Sequence, residues 1–126
     1  MQSILGVWRL VEERATNPAG ERVAPRFGVA GQGLVQFTPG RMMAVLVDNT
    51  TELPPGAPRE YNSYCGAWTF DGTTLITKVD AALPPLMGTD QVRQVKWEGT
   101  RLVLSPPPLA RGGTAISREL VWEKIA

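Results

Sequence analysis

Apolar and polar positions alternate along this chain in short runs, and no run keeps a helical period for three turns. The sharpest alternation lies between Gly88 and Leu104 and predicts two strands joined by a tight turn at Glu98-Gly99. That turn sets Trp97 opposite Thr100, Val95 opposite Leu102 and Arg93 opposite Leu104. This face is more apolar than the one carrying Val92, Gln94 and Lys96, so it is predicted to turn inward. Arg93, with Gln91 beyond it, then points inward too. A guanidinium among Leu, Val and Trp is costly unless it is paired or hydrated, which makes Arg93 the strongest functional clue in the chain.

The remaining runs read the same way. Residues 6–14 form a strand with Trp8, Leu10 and Glu12 on the inner face, Glu12 near a barrel mouth. Residues 31–38 and 41–48 pair across Pro39-Gly40, with Phe37 opposite Met42, Val35 opposite Ala44 and Gly33 opposite Leu46. Residues 60–70 and 73–80 pair across Asp71-Gly72, a strong hairpin signal, which puts Phe70 opposite Thr73, Trp68 opposite Leu75 and Tyr64 opposite Val79. Asn62, Tyr64, Trp68 and Phe70 are expected inside. A last strand over 116–124 turns Arg118, Leu120 and Trp122 inward. Residues 21–30, 81–87 and 105–114 read as connectors, and the Pro-rich stretch 49–59 as a loop or lid over one end. Eight strands in simple succession predict an all-β fold, an eight-stranded antiparallel up-and-down β-barrel in one domain over residues 1–126. Closure removes the exposed edges of an open sheet, and a two-sheet sandwich is the competing arrangement.

Composition narrows the chemistry. Thirteen basic and twelve acidic residues leave a net charge of +1, so no polyanionic partner is implied, and no basic run interleaved with aromatics suggests nucleic-acid binding. The longest apolar run is too short to span a bilayer, and the N-terminus has no signal-like apolar core; a cytoplasmic protein is expected, with no membrane partner. There is no His and a single Cys65, which removes Ser-His-Asp and Cys-His catalysis and the common transition-metal ligands. No metal or other cofactor is expected. Cys65 falls on the face opposite Tyr64 and Trp68 and reads as a packed residue.

Several motifs in order carry a family resemblance: Leu5-Gly6-Val7-Trp8-Arg9-Leu10, then Gly33-Leu34-Val35-Gln36-Phe37-Thr38-Pro39-Gly40-Arg41-Met42, then Tyr61-Asn62-Ser63-Tyr64-Cys65-Gly66-Ala67-Trp68. Met87-Gly88-Thr89-Asp90-Gln91-Val92-Arg93, Arg101-Leu102-Val103-Leu104 and Leu120-Val121-Trp122-Glu123-Lys124 follow. Over nearly its whole length the chain resembles the bacterial lipocalin-like domain family of calycin-type barrels. The resemblance implies a barrel able to hold a small apolar molecule. Gly6-Val7-Trp8 also resembles the lipocalin Gly-x-Trp opening, whose Trp packs on a late basic residue, here matched by Arg118. Relatives often carry a His pair where this chain reads Ile76-Thr77-Lys78, so chemistry resting on those imidazoles is not expected here.

The candidate ligand-binding residues are Arg93, Tyr64, Trp68, Gln91, Asn62 and Met42. Arg93 offers a planar fork for a carboxylate, phenolate or carbonyl, with Gln91 beside it. Its structural alternative is an internal ion pair with Glu12 or another carboxylate, or hydrogen bonding to loop carbonyls near a mouth. Tyr64, Trp68 and Met42 would supply walls, or simply fill the barrel. The leading expectation is a binding barrel for a small apolar or amphipathic molecule. A metal-free isomerase or cyclase, with Tyr64 as acid and Glu12 or Asp90 as base, is the enzymatic alternative. A filled-barrel interaction domain, with a homodimer through outward Val7, Val11, Met43 and Val45, is the third.

Overall fold

Alternating inward side chains build a closed wall. The computed structural model describes residues 2–126 and contains ten strands: β1 (Gly6–Thr16), β2 (Arg22–Val23), β3 (Gly31–Thr38), β4 (Arg41–Asp48), β5 (Tyr61–Phe70), β6 (Thr74–Ala82), β7 (Asp90–Glu98), β8 (Arg101–Ser105), β9 (Leu109–Arg111) and β10 (Thr114–Lys124). Eight of them, β1, β3–β8 and β10, pair antiparallel with their neighbours, and β1 pairs with β10 to close the barrel. The two short strands, β2 and β9, sit in connectors and extend β1 and β10 at one end. No helix is long and apolar enough to cross a membrane.

The β3–β4 hairpin has the expected register, with Phe37 opposite Met42, Val35 opposite Ala44 and Gly33 opposite Leu46. In two other hairpins the turn lies further along. Glu98 pairs with Arg101, so Gly99-Thr100 is the loop, with Gly99 at φ 62°. Gly at the first loop position suits a type II′ turn, whose twist matches that of the strands. Phe70 pairs with Leu75 rather than Thr73, because the Asp71 carboxylate accepts hydrogen bonds from the Thr73 and Thr74 amides and widens the loop. Beside the turns each pairing shifts by two residues, and two is the side-chain period of a strand, so inward and outward faces survive there. Further along, a bulge leaves Asp80 as an extra residue of β6, so Tyr64 stands opposite Ala82 rather than the expected Val79.

In β1 the face does change. Leu10 pairs with Trp122 and Glu12 with Val121, leaving Val11 as the extra residue of a bulge. One extra residue reverses the alternation beyond it. Trp8 is buried before the bulge, and Ala15 and the Glu13 side chain are buried after it, while Glu12 faces solvent. The expectation of an inward Glu12 is therefore corrected to Glu13.

The barrel has two unlike ends. Three hairpin turns, the start of β1 and the end of β10 lie at the first, where Ile4, Trp8 and Phe37 are buried and Trp97 and Trp68 pack against them. Trp8 lies 5.9 Å from Trp97 between ring centroids and donates its indole N–H to the Ile4 carbonyl at 2.9 Å. Phe37 and Trp68 meet edge-on at 5.6 Å. Full burial of such side chains contributes about 1.5–3 kcal/mol each. Connectors cross the other end, which is the mouth. The outer wall leaves Leu34, Met43 and Val45 exposed.

Candidate functional site

The mouth is built around one carboxylate. Glu13, brought inside by the bulge, accepts Arg118 Nε at 2.6 Å, the side chains being only 3% and 8% exposed. It also accepts the backbone N–H groups of Arg26 and Phe27, at 3.2 and 3.3 Å. Several donors on one buried carboxylate offset the cost of taking it out of water. They also draw the 24–30 connector across the barrel. Phe27 is thereby buried, with the Arg26 guanidinium 4.9 Å and that of Arg118 6.0 Å from its ring centre. Arg111 donates to the Ala24 carbonyl at 2.8 Å and ties the β9 connector to the same strap.

Arg118 thus stacks on Phe27 and pairs with Glu13. It does not pack on Trp8 as the Gly-x-Trp resemblance implies; Lys124 is the residue opposite Trp8. Arg118 stands at the mouth instead.

Below the strap lies an internal cavity of about 40 Å³. Its walls include Val35, Met42, Leu46, Tyr64, Leu75 and Trp122, and its rim Arg26, Phe27, Asn62, Arg93, Pro106 and Arg118. The β4 and β5 registers bring Met42, Asn62 and Tyr64 to this space, and β7 brings Arg93. Residues 49–59 do not line it: Arg59 folds that loop back on its own base, donating to the Asp48 and Thr50 carbonyls.

Arg93 is half-buried. Its Nη1 donates to the Val92 carbonyl at 2.8 Å and its Nη2 to Gln91 Oε1 at 3.2 Å. Gln91 Nε2 donates to Thr89 Oγ1 at 2.9 Å, and Thr89 Oγ1 to the Leu86 carbonyl at 2.6 Å. This relay orients the Gln91 amide with its oxygen toward Arg93. Among the described residues no carboxylate lies within ion-pair distance of Arg93, so a pair with Glu12 or another carboxylate is absent. Of the expected alternative, the carbonyl hydrogen bond is present, though to the Val92 carbonyl within β7 rather than to a loop.

Of the six candidate residues, Arg93, Tyr64, Asn62 and Met42 share the cavity, and Gln91 backs Arg93. Trp68 stands apart at the packed end, its indole N–H donating to the Thr38 and Arg41 carbonyls at 2.9 and 3.0 Å. Glu12 and Asp90, the bases of the enzymatic alternative, are solvent-facing and line no part of the cavity. Glu13 and Phe27 escaped the sequence reading. A bulge has no periodic signature, and Phe27 sits in a connector without alternation.

Outside the wall, a broader groove of about 620 Å³ follows β1, β3 and β4 past Leu34, Val45 and Ile125. Its charged residue, Arg9, is already paired with Glu123 at 2.7 Å. An apolar groove whose charge is satisfied lacks the convergent polar groups of a specific site, which the interior has.

A closed antiparallel barrel with one packed end and one charged, strapped mouth is a calyx. The chain belongs to the lipocalin-like domain family, whose model matches residues 5–125. No curated protein matches the chain. Fold and family together support a ligand-binding barrel in general terms.

Proposed function

We propose that the protein binds a small apolar or amphipathic molecule inside the barrel, its anionic or strongly polar head on Arg93 and its apolar body between Met42, Leu75 and Tyr64. The observation that carries this reading is Arg93 itself: a half-buried guanidinium on the cavity rim whose side-chain partners are a carbonyl and an amide oxygen, both neutral. A carboxylate completes such a fork with two charge-assisted hydrogen bonds. Gln91, held by Thr89, keeps the fork aimed.

The cavity is far smaller than the roughly 300 Å³ at which drug-sized ligand pockets begin. Loading therefore involves outward movement of the rim, through the Arg26-Phe27 strap and Pro106. Both lie on connectors rather than in the wall, where displacement costs fewest ladder hydrogen bonds.

Titration with octanoate and 1-octanol, followed by tryptophan fluorescence, tests the reading. The wild-type protein is expected to bind octanoate more tightly than the alcohol. Arg93→Gln should weaken octanoate by about tenfold or more and leave the alcohol unchanged, as loss of a charge-assisted pair demands. Equal octanoate affinity in both proteins, or no octanoate binding, removes Arg93 as the anchor.

A further inference from the structure

Trp122 is 2% exposed and lines the cavity, and its indole N–H has no hydrogen-bond partner. The contrast with Trp8 and Trp68 is direct, since each of those donates to a backbone carbonyl. Buried donors in folded proteins are nearly always paired, so an orphan inside a cavity asks what pairs with it. The walls around it do not supply the acceptor: Val35, Leu46, Leu104 and Leu120 present only hydrocarbon side chains, and the oxygens of Tyr64 and Asn62, which share the cavity, make no hydrogen bond to it. The ring cannot readily swing away to find one elsewhere. It is seated over Gly33, where a side-chain Cβ would stand 3.2 Å from Trp122 Cη2 and 2.9 Å from Leu46 Cδ2.

We infer that the Trp122 N–H is a second recognition donor of this cavity, and that the ligand carries an oxygen acceptor on its apolar body as well as an anionic head, as an oxo acid does. The inference rests on the reading of the cavity as a ligand site. Depth along the barrel separates the two donors. Trp122 is almost wholly buried, whereas Arg93 on the rim is half-buried. The two stand on different strands, β10 and β7, and both side chains reach into one cavity. The head therefore sits at the rim and the acceptor deeper. A site built around a buried donor discriminates strongly against an analogue that leaves the donor unpaired.

The matched pair 4-oxo-4-phenylbutanoate and 4-phenylbutanoate, which differ only in the ketone oxygen, tests this. Binding is followed on indole-15N-labelled protein, with the Trp122 cross-peak assigned by Trp122→Phe. The oxo acid is expected to bind about tenfold tighter and to move the Trp122 indole proton downfield, while 4-phenylbutanoate leaves that proton in place. Trp122→Phe should bring the two acids to equal affinity, and Arg93→Gln should weaken both alike. Equal affinities in the wild-type protein, or a preference that survives Trp122→Phe, overturn the inference and leave the ligand-site reading standing. Binding of neither acid overturns both. If Trp122→Phe does not fold, the wild-type affinities and the indole shift, assigned through the other three tryptophans, decide alone.

Discussion

The two ends of the barrel answer the same problem, closing a tube of strands, with opposite chemistry. At the packed end the answer is hydrocarbon and aromatic rings: Trp8 on Trp97, Phe37 on Trp68, with each of Trp8 and Trp68 pinning its N–H to a main-chain carbonyl. At the mouth it is a buried ion pair, Glu13 with Arg118, which holds a loop and one aromatic ring across the opening. The packed end spends its polar groups internally. The mouth and the cavity beneath it keep two free, the Arg93 fork at the rim without a carboxylate and, deeper, the Trp122 N–H without a partner.

The largest effects should come from removing the two devices. Trp8→Ala should cost about 3–5 kcal/mol in urea unfolding, because it leaves a large void in a fully packed layer. Glu13→Ala should cost a similar amount, about 3–5 kcal/mol, by stranding Arg118 in a buried position. The double variant Glu13→Met with Arg118→Met should recover most of that loss, since hydrophobic replacement of a whole buried pair is often neutral. A Trp8→Ala protein as stable as wild type would show that the packed end carries no special share. Failure of the double variant to recover would show that the hydrogen bonds to the strap matter more than charge pairing.

Gly33→Ala should be intermediate, about 1–3 kcal/mol, because the new methyl meets Leu46 and Trp122 where the sheet leaves no slack. Thermal unfolding within 1 °C of wild type would contradict the tight seating of Trp122.

The smallest effects belong to the outer wall. Asp80 beside Arg41, Glu98 beside Arg14 and Glu123 beside Arg9 are held below the usual carboxylate range by those guanidinium hydrogen bonds, and Asp71 by the Thr74 and Thr73 amides. A carboxyl lowered in the folded state contributes its stability above the unfolded pKa, near about 4, and loses it as pH falls through the lowered value. Stability should therefore be flat near neutrality on this account and decline below about pH 4. Asp71→Asn should shallow that decline slightly, as read by urea midpoints at pH 6 and pH 3. Being exposed, these groups each contribute little.

The same contrast explains what could be read in the sequence. Alternation over β3, β4, β7 and β10 was enough to place Met42, Arg93, Arg118 and Trp122 inside, and those placements survive in the structure. Turn positions at Glu98 and Phe70 were displaced by two residues, an error that strand periodicity forgives. The bulge at Val11 is an error it does not forgive, and it hid Glu13. Periodicity does not assign height along the barrel, so Trp68 and Tyr64 read alike in the sequence although four residues of strand separate them. Phe27 and Arg26 are positioned by a tertiary contact to Glu13, which no local pattern announces.

A crystal structure of the octanoate complex decides whether the interior is the ligand site. The carboxylate is expected within hydrogen-bonding distance of Arg93, the strap at Phe27 displaced outward, and the alkyl chain inside the barrel against Met42 and Leu75. Octanoate lying instead along the outer groove of Leu34 and Val45, with the interior unchanged, would contradict that expectation.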